Sequence, residues 1–463
     1  MIKQKKQHLL FLLMLFFSYV QAQESLTLSL QEARSYALEH NKVLQNAKTD
    51  LEISRKQVWA TISQGLPQVD GTLDYTDFFN YEMEFSFGGG GGNDMYQIDF
   101  SKLDEGDFEI LQLLSSMTDR GDSKIKMKNS SSAKIQVSQL IFSGQYIVGV
   151  QMAKIARAIS EYSLSMSQND IIEAVTSSYY MVLLTQENKN ILESNIENLI
   201  STQQQTEVMV AAGVAEQIDL DQLDVAVMML ENTKSQLERA TLMGMNLLRF
   251  QLGVDANTNI VLSDKLQSIV EGIDMSLLSE RPFEMEQNPL FNIMKKQEQI
   301  AKKGLQLERT SYLPVLVGFY SYNEKILKTD FDMNPNHIAG LSLQVPIFSS
   351  GMRYAKVQQK KLEFVKAQNN RSMIEDQLKL EEKQYRFDLI NAIDQYNLQK
   401  KSVDVAQRVY ENTNLKYQQG MVSSMQLTQA SDNLLKAQNN YMSATMSLLQ
   451  AKLSFEKLLN KLQ

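Results

Sequence analysis

The sequence predicts a mainly α-helical protein with a small β part, built as an internal duplication of long helical hairpins and strand pairs. Only six prolines occur in 463 residues, and none lies in 68–281 or 347–463. This favours long helices, because proline breaks a helix interior. Four short segments instead alternate apolar and polar residues, as strands with one solvated face do. Related segments recur 207 positions apart, as at Gly213 and Gly420, which indicates two copies of one unit.

The N-terminus has the features of a secretory signal. Lysines at positions 3, 5 and 6 precede an apolar run from Leu9 to Val20, and Ala22 supplies a small residue at the cleavage position. The apolar run is too short to span a bilayer as a helix. We therefore expect residues 1–22 to be a signal peptide and the mature chain to begin at Gln23.

The composition narrows the partners and the chemistry. The chain carries 46 Lys and Arg against 54 Asp and Glu, and this acidic balance argues against nucleic acid as a partner. It has no cysteine and three isolated histidines, so no metal-ligand spacing or nucleophilic triad can be assembled. We therefore expect no enzymatic activity, no metal and no cofactor. The five glycines at 88–92 lack the strand-to-helix context of a phosphate loop and predict a surface loop.

The first repeat is predicted to span residues 23–252. It opens with a capping box at Ser29 and Glu32, which starts a short helix. Alternating residues place its two strands, and an uninterrupted run places its long helix. After the short helix, the predicted elements are a helix at about 42–65, strands at about 67–79 and 131–142, a long helix at about 144–212, and a helix at about 217–251.

The second repeat is predicted to span residues 253–463 and to follow the same order. Its predicted elements are a helix at about 290–311, strands at about 313–323 and 338–348, a long helix at about 351–419, and a helix at about 424–460. The stretches GVAEQIDLDQ at 213–222 and GMVSSMQLTQ at 420–429 therefore form equivalent hairpin tips. Each long helix would extend for roughly 100 Å at 1.5 Å per residue.

The strands and helices together suggest a tube made by several chains. Four strands cannot close a barrel alone, because small membrane barrels have at least eight and an open sheet edge is not viable in lipid. The long helices carry only a narrow apolar stripe, as at Ile172, Val175 and Tyr179, so much of their surface is solvated. Several copies of the chain would therefore share one barrel.

At this point the sequence resembles a known family, the outer-membrane efflux proteins typified by TolC. The resemblance is carried by an ordered set of segments and covers nearly the whole mature chain, including the duplication. The segments are LTLSLQEA at 26–33, LPQ at 66–68, LIFSG at 140–144 and AGVAEQID at 212–219.

The resemblance implies a homotrimer in the outer membrane of a Gram-negative bacterium, with most of each chain in the periplasm. Four strands per chain would contribute to a shared transmembrane β-barrel in contact with outer-membrane lipid, and the helical hairpins would form a periplasmic α-barrel with coiled-coil packing. The implied function is the exit duct of a tripartite multidrug efflux or type I secretion system. Its implied partners are a periplasmic adaptor and an inner-membrane pump, whose cargo the duct conducts passively.

The hairpin tips are the candidate gate of this duct. The resemblance implies a contact between Asp219 and Tyr417 that helps to hold the tunnel shut. In a trimer, carboxylates near the tips would converge and attract cations. Glutamines at 426 and 429 stand where many relatives carry acids, so the second hairpin would be less negative. The candidate gate residues are Asp219, Asp221, Asp224, Tyr417, Gln426 and Gln429.

The alternative for Asp219 is an ordinary acidic helix start, which the helix dipole favours. The tips are also the candidate docking points for the adaptor, because they carry small residues that permit close backbone approach and are duplicated. The candidate docking residues are Gly213, Val214, Ala215, Gly420, Met421 and Val422.

Two alternative interpretations of the chain remain at this stage. The 24 methionines, including Met209, Met228, Met229, Met421 and Met425 near the tips, could indicate export of a soft metal. Methionine also forms helices well and fills irregular packing seams, and we favour that explanation. The alternative to a duct is a periplasmic coiled-coil structural or adaptor protein without a pore, which would not need two pairs of alternating strands.

Overall fold

The computed structural model describes residues 26–77, 79, 82–85, 123–126, 129–273, 281–327 and 335–462. The predicted signal peptide at 1–22 and the glycine run at 88–92 lie outside these residues. Within the described ranges, no helix is both long and apolar enough to cross a membrane. The chain divides into a helical unit and a second unit that contains the main sheet.

Among the described residues the chain forms eight α-helices. In chain order they are α1 (Leu30–His40), α2 (Lys42–Ser63), α3 (Gly144–Ala211), α4 (Gln217–Leu252), α5 (Leu266–Glu271), α6 (Pro289–Thr310), α7 (Met352–Gln418) and α8 (Ser424–Leu458). Helices α3 and α7 have 68 and 67 residues, so each is about 100 Å long at 1.5 Å per residue.

The described residues also form eight strands. In chain order they are β1 (Leu26–Leu28), β2 (Gln68–Thr76), β3 (Glu82–Phe85), β4 (Ser123–Lys126), β5 (Ser130–Ser143), β6 (Ile260–Leu262), β7 (Val315–Leu327) and β8 (His337–Gln344). Strands β2, β5, β7 and β8 correspond to the four strands that the alternation predicts. The sequence analysis missed the other four, which are short.

The four long strands form one antiparallel sheet in the order β2-β5-β7-β8. Gln68 pairs with Ser138 at one end of β2, and Tyr322 pairs with His337 at the start of β8. Strands β2 and β8 are the two edges, so each pairs along one side only within the chain. Every residue of β2 is exposed, which means that neither face of this strand is covered by the rest of the chain.

The bounds of β7 and β8 differ from the prediction. Strand β8 ends at Gln344 instead of continuing to about 348, and Pro346 explains the difference because proline cannot donate a hydrogen bond to a neighbouring strand. Strand β7 continues to Leu327, beyond the predicted end near 323. Tertiary pairing with β5, which reaches Ser131 opposite Leu327, extends this strand past its clear alternation.

The helical unit begins with a short parallel pair that joins the two halves of the chain. Strand β1 pairs with β6, with Leu26 opposite Ile260. Nearby, the core of this unit is centred on fully buried side chains of α3, α4 and α8, including Tyr179, Leu248 and Leu448. The two repeats therefore share one core and do not form separate domains.

A buried asparagine joins two helices in the first repeat. The Asn41 side-chain oxygen accepts hydrogen bonds from the N–H groups of Val43 at 2.8 Å and Leu44 at 3.2 Å. Its side-chain nitrogen donates to the carbonyl oxygen of Gln251 at 2.7 Å. Asn41 therefore caps the start of α2 and ties it to the end of α4.

The second repeat has the same joint. The Asn288 side-chain oxygen accepts from the N–H groups of Leu290 at 3.0 Å and Phe291 at 3.3 Å, and its nitrogen donates to the carbonyl oxygen of Leu458 at 3.3 Å. Asn288 thus caps α6 and ties it to the end of α8. The duplication extends from the sequence pattern to individual hydrogen bonds.

Candidate functional site

The candidate site consists of the two hairpin tips, both in the helical unit, and the backbone of each tip follows one plan. At the first tip, Gly213 adopts φ 72°, a left-handed conformation that glycine tolerates best. Its N–H donates to the carbonyl oxygen of Val210 at 3.0 Å, and the N–H of Val214 donates to that of Met209 at 2.8 Å. These two bonds make a Schellman motif, which satisfies the last carbonyl groups of α3.

The second tip repeats this geometry. Gly420 adopts φ 71°, and its N–H donates to the carbonyl oxygen of Tyr417 at 2.9 Å. The N–H of Met421 donates to the carbonyl oxygen of Lys416 at 2.9 Å. Because a left-handed residue stops a helix and reverses the chain, the two paired glycines account for both breaks in otherwise continuous helical sequence.

Each returning helix begins with a capping interaction. At the first tip, the Asp219 Oδ2 atom accepts a hydrogen bond from the N–H of Glu216 at 3.1 Å. At the second, the Gln426 side-chain oxygen accepts from the N–H of Ser423 at 3.3 Å, and the Ser423 Oγ atom accepts from the N–H of Gln426 at 3.4 Å. Both arrangements satisfy N–H groups that a helix start leaves unpaired.

Asp219 also joins the two hairpins of the chain. Its Oδ1 atom accepts a hydrogen bond from the Ser424 hydroxyl, and Ser424 is only 2% exposed. One carboxylate therefore holds the start of α4 and the start of α8 together. Asp219 therefore does more than cap the start of α4, because the same side chain also bonds to the second hairpin.

Tyr417 also joins the two hairpins, through a bond between the long helices α7 and α3. Its hydroxyl lies 2.7 Å from the Thr206 hydroxyl oxygen, and the Thr206 hydroxyl donates to the Thr202 carbonyl oxygen at 2.9 Å. Either of these two hydroxyl groups can be the donor in the bond between Tyr417 and Thr206. This bond connects α7 to α3.

The implied contact between Asp219 and Tyr417 is therefore not formed within one chain. Asp219 faces the start of α8, where Ser424 is its partner, while Tyr417 lies in the last turn of α7 and is buried against α3. Both residues do connect hairpins, but through different partners. Sequence spacing missed Thr206 and Ser424, because a threonine or serine inside a helical run carries no distinct signal.

The other candidate gate residues bond within their own hairpins. Asp221 accepts from the side chain of Gln217 at 2.9 Å, and Asp224 accepts from the side chain of Gln203 across the first hairpin. Gln429 donates to Asn433 at 3.1 Å along α8. None of these three bonds crosses from one hairpin to the other.

The candidate docking residues lie on the outer turn of each tip. The side chains of Val214 and Met421 are exposed, and a Cβ atom added to Gly213 or Gly420 would meet nothing within 4 Å. Ala215 and Val422 are partly buried. Each tip thus presents one apolar side chain and an open glycine backbone.

Apolar packing differs between the two hairpins. The second tip has a cluster formed by Tyr410, Tyr417, Leu427, Ala430 and Leu434. Burial in this cluster raises the pKa of the Tyr410 hydroxyl. The first hairpin has its own cluster farther from the turn, which consists of Leu192, Ile196, Leu199, Leu223, Val227 and Leu230.

Comparison with solved structures shows the fold. The chain is similar to the Campylobacter jejuni CmeC outer membrane channel, with 17% identity and a TM-score of 0.69 over 93% of this chain and 85% of that one. It is also similar to the Vibrio cholerae outer membrane protein VceC, with 14% identity, a TM-score of 0.69 and coverage of 93% and 96%. The open state of the Neisseria gonorrhoeae MtrE outer membrane channel matches with 15% identity, a TM-score of 0.70 and coverage of 94% and 89%.

Sequence comparison finds a family model that matches part of the chain. No curated protein matches the chain by sequence, but residues 284–461 match the model of the outer membrane efflux protein family. This match includes the second hairpin tip and agrees with the predicted location in the outer membrane. Residues 284–461 are thus similar to the outer membrane efflux protein family, and the fold of the solved channels extends over nearly all of the chain.

Proposed function

We propose that three copies of this chain form a passive exit duct across the outer membrane, which receives cargo from an inner-membrane pump through a periplasmic adaptor. The observation that carries the proposal is the four-stranded sheet with two unpaired edges and uncovered faces. In this proposal the chain conducts cargo without catalysing a reaction.

The sheet needs further strands to be stable in lipid. On β2, the apolar residues Val69 and Leu73 are 67% and 75% exposed, and the alternating residues Asp70 and Asp74 are exposed on the other side. This pattern suits a strand with lipid on one face and water on the other. Pairing β8 of one copy with β2 of the next would remove every open edge.

The number of copies rests on the family resemblance. Two chains would supply eight strands and three would supply twelve, and both numbers are compatible with a closed barrel. The helices also favour association, since α7 exposes Met373, Leu380 and Phe387 at seven-residue spacing, a period typical of coiled-coil seams. A second copy would cover this stripe.

The mass of the detergent-purified, folded protein tests the assembly. We expect three times the chain mass by light scattering corrected for detergent, and slower gel migration before boiling than after it. A monomeric mass would exclude the shared barrel and support the pore-free coiled-coil alternative. Conductance of the purified protein in planar bilayers distinguishes these alternatives independently, because only the duct contains a pore.

Docking of the adaptor at the tips needs a test that leaves the turns intact. Asparagine tolerates the left-handed conformation better than most residues, so Gly213→Asn and Gly420→Asn add a side chain while they preserve each turn. If the adaptor approaches the glycine backbone closely, the double variant should lose most export in cells and keep normal assembly.

Gly351 provides a matched control for this experiment. It also adopts a left-handed conformation, with φ 80°, and has open space around an added Cβ atom, but it lies outside the tips. Cells that carry the Gly351→Asn variant should export cargo normally. Normal export by the double tip variant would place adaptor docking elsewhere on the helices.

A further inference from the structure

The strands of the two repeats correspond residue by residue. Leu66-Pro67, directly before β2, recurs as Leu313-Pro314 directly before β7. Ile141-Phe142, at the end of β5, recurs as Ile347-Phe348 shortly after β8. Each residue of β2 is therefore equivalent to the residue of β7 that lies 247 positions later, and each residue of β5 to the one that lies 206 positions later.

The two strand pairs have the same register under this correspondence. In the first repeat, Gln68 pairs with Ser138. The equivalent residues of the second repeat, Val315 and Gln344, are paired as well. The agreement continues along the whole ladder between β7 and β8. The duplication therefore predicts which residues pair.

Strands β5 and β7 join the first repeat to the second. Val137 of β5 lies opposite Tyr320 of β7. Their equivalents are Leu343 of β8 and Leu73 of β2, and these two strands are the open edges of the sheet. The joint that connects the repeats within the chain is thus left without a partner at β8, and the first repeat of another copy would supply that partner.

The side chains of the two open edges match in this register. Leu343 would lie opposite Leu73, and Leu341 would lie opposite Tyr75. All four side chains are more than 60% exposed within the chain, and the residue between the two apolar positions is polar on both strands. A slip by one residue would place the apolar faces of the two strands on opposite sides of the sheet.

The helical unit has a joint between the repeats with a matching free surface. Lys457 of α8 donates to Glu173 of α3 at 2.6 Å and also lies 2.7 Å from Asp170. The residues equivalent to Lys457 and Glu173, 207 positions away, are Phe250 of α4 and Leu380 of α7, and they are 71% and 68% exposed. A joint of the same geometry between copies would replace the ion pair with an apolar contact and remove both side chains from water.

From these correspondences we infer that neighbouring copies join as the two repeats join within a chain. In the sheet, β8 of one copy pairs antiparallel with β2 of the next, with Leu343 opposite Leu73. In the helical unit, Leu380 of one copy packs against Phe250 of the next. This arrangement rests on the shared barrel proposed above, and it specifies the strand register, which a count of strands leaves open.

Cysteine cross-linking of the purified, assembled full-length protein tests the register. The chain has no cysteine, so every disulfide in Leu73→Cys/Leu343→Cys involves the introduced pair. Opposite residues on antiparallel strands have Cα atoms about 4.5–5.5 Å apart, a separation that a disulfide spans. Within one chain, β5 and β7 separate the two residues by roughly 14 Å. Mild oxidation should therefore link most chains into dimers and trimers on a denaturing gel without reductant.

The sheet itself provides a matched control. Val137→Cys/Tyr320→Cys places the equivalent pair inside one chain and should form a disulfide without linking copies. Two further variants combine Leu343→Cys with Tyr75→Cys or with Val69→Cys, which lie two and four positions out of register. They should link copies at least about fivefold more slowly, because their Cα atoms are too far apart.

A shifted pair that links faster than Leu73→Cys/Leu343→Cys would overturn the register. Failure of that pair to link copies, while the in-chain control is oxidised, would overturn it as well. Light scattering and bilayer conductance report the shared barrel separately. A protein of assembled mass that links at a shifted position therefore refutes the register alone, whereas a monomeric mass refutes the proposed function too.

An exchange of charge tests the helical contact. Leu380→Glu and Phe250→Lys should each lower the temperature at which the assembly dissociates, because each places an unpaired charge against an apolar side chain. The double variant would create between copies the ion pair that Lys457 and Glu173 form within the chain, and should recover most of the loss. Val405→Glu with Phe250→Lys should recover none, because Val405 lies roughly 37 Å farther along α7. Single variants as stable as the parent protein, or a double variant no more stable than the single ones, would overturn the contact.

Discussion

The two hairpin tips share a backbone but differ in the side chains that hold them. Gly213 and Gly420 adopt φ 72° and 71°, and both turns have the same pair of Schellman hydrogen bonds. Each helix then restarts six residues after the preceding one ends. A glycine and a capping pair are therefore enough to specify the turn, which leaves the other side chains free to differ.

The two bonds that join the hairpins near the tips use this freedom, because neither of them is duplicated. Asp219 of the first tip bonds with Ser424 of the second. The residues at the equivalent positions, 207 away, are Gln426 and Gln217, and each of these bonds within its own hairpin. The bond from the acid of α4 to the hydroxyl of α8 therefore has no counterpart in which the two helices exchange roles.

The Tyr417 bond breaks the symmetry in the same way. Its partner is Thr206, whereas the residues equivalent to these two are Val210 and Thr413, and valine has no hydroxyl to donate. The first tip thus contributes charge and the second contributes aromatic packing. If the hairpins separate when the duct opens, we expect these two unduplicated bonds to break.

The largest expected effect comes from replacing equivalent leucines at the two tips. Leu427 is 1% exposed and belongs to the second-tip cluster, while its counterpart Leu220 is partly exposed. Leu427→Ala should destabilise the second tip by about 2–5 kcal/mol, the usual cost of a buried Leu→Ala change. Leu220→Ala should cost about 1 kcal/mol, as an average substitution does.

Hydrogen exchange of the tip amides measures both variants in the assembled protein. We expect much faster exchange around 417–430 in Leu427→Ala, and a smaller change around 210–223 in Leu220→Ala. Equal acceleration at both tips would show that the first tip is packed as tightly as the second, and the asymmetry inferred from burial would be wrong.

The next effect concerns the charged link. Asp219→Ala removes the acceptor for Ser424 and for the Glu216 N–H, and hydrogen bonds to a charged group are worth about 1.5–3 kcal/mol. We expect higher single-channel conductance in planar bilayers without a change in the yield of assembled protein. Gln426→Ala, the equivalent change at the second tip, should alter conductance much less because Gln426 caps only its own helix.

A smaller effect should follow from the neutral link. Tyr417→Phe removes one hydroxyl whose partner is the neutral Thr206 hydroxyl, and a neutral hydrogen bond contributes about 0.5–1.5 kcal/mol. The resemblance to the family implied a charged acceptor and hence a larger effect. Conductance should rise less than in Asp219→Ala. If neither variant changes conductance, Asp219 acts only as a helix start and Tyr417 only as a core residue.

Features that depend on neighbouring residues were predictable from the sequence. The left-handed glycines, the capping box at Ser29 and the four strands of the main sheet all leave local patterns, because turns, caps and alternation are short-range. The observed strand bounds depart from the predicted ones where long-range pairing or Pro346 intervenes.

Features that depend on how helices face each other were not predictable. The partners of Asp219 and Tyr417, and the bond between Asn195 and Gln438 at 2.8 Å, follow from the rotation and axial position of helices far apart in sequence. The resemblance implied that Asp219 and Tyr417 meet, but within a single chain they have other partners. Spacing within one segment contains no information on such pairs.

The smallest expected effect comes from a substitution that makes the second tip more like the first. Gln426→Glu places a carboxylate in the first turn of α8, where the helix dipole favours negative charge by about 0.3–1 kcal/mol, and glutamate keeps the capping interaction with Ser423. Amide exchange near the start of α8 should slow by about two- to fivefold at low salt, and the gain should shrink at high salt because the exposed charge is screened.

Conductance of the Gln426→Glu variant should stay unchanged, because the equivalent of Ser424 in the first hairpin is Gln217, whose side chain already bonds to Asp221. A fall in conductance comparable to the rise expected for Asp219→Ala would mean that any acid at this position holds the hairpins together. The two tips would then differ in their roles only because they differ in charge.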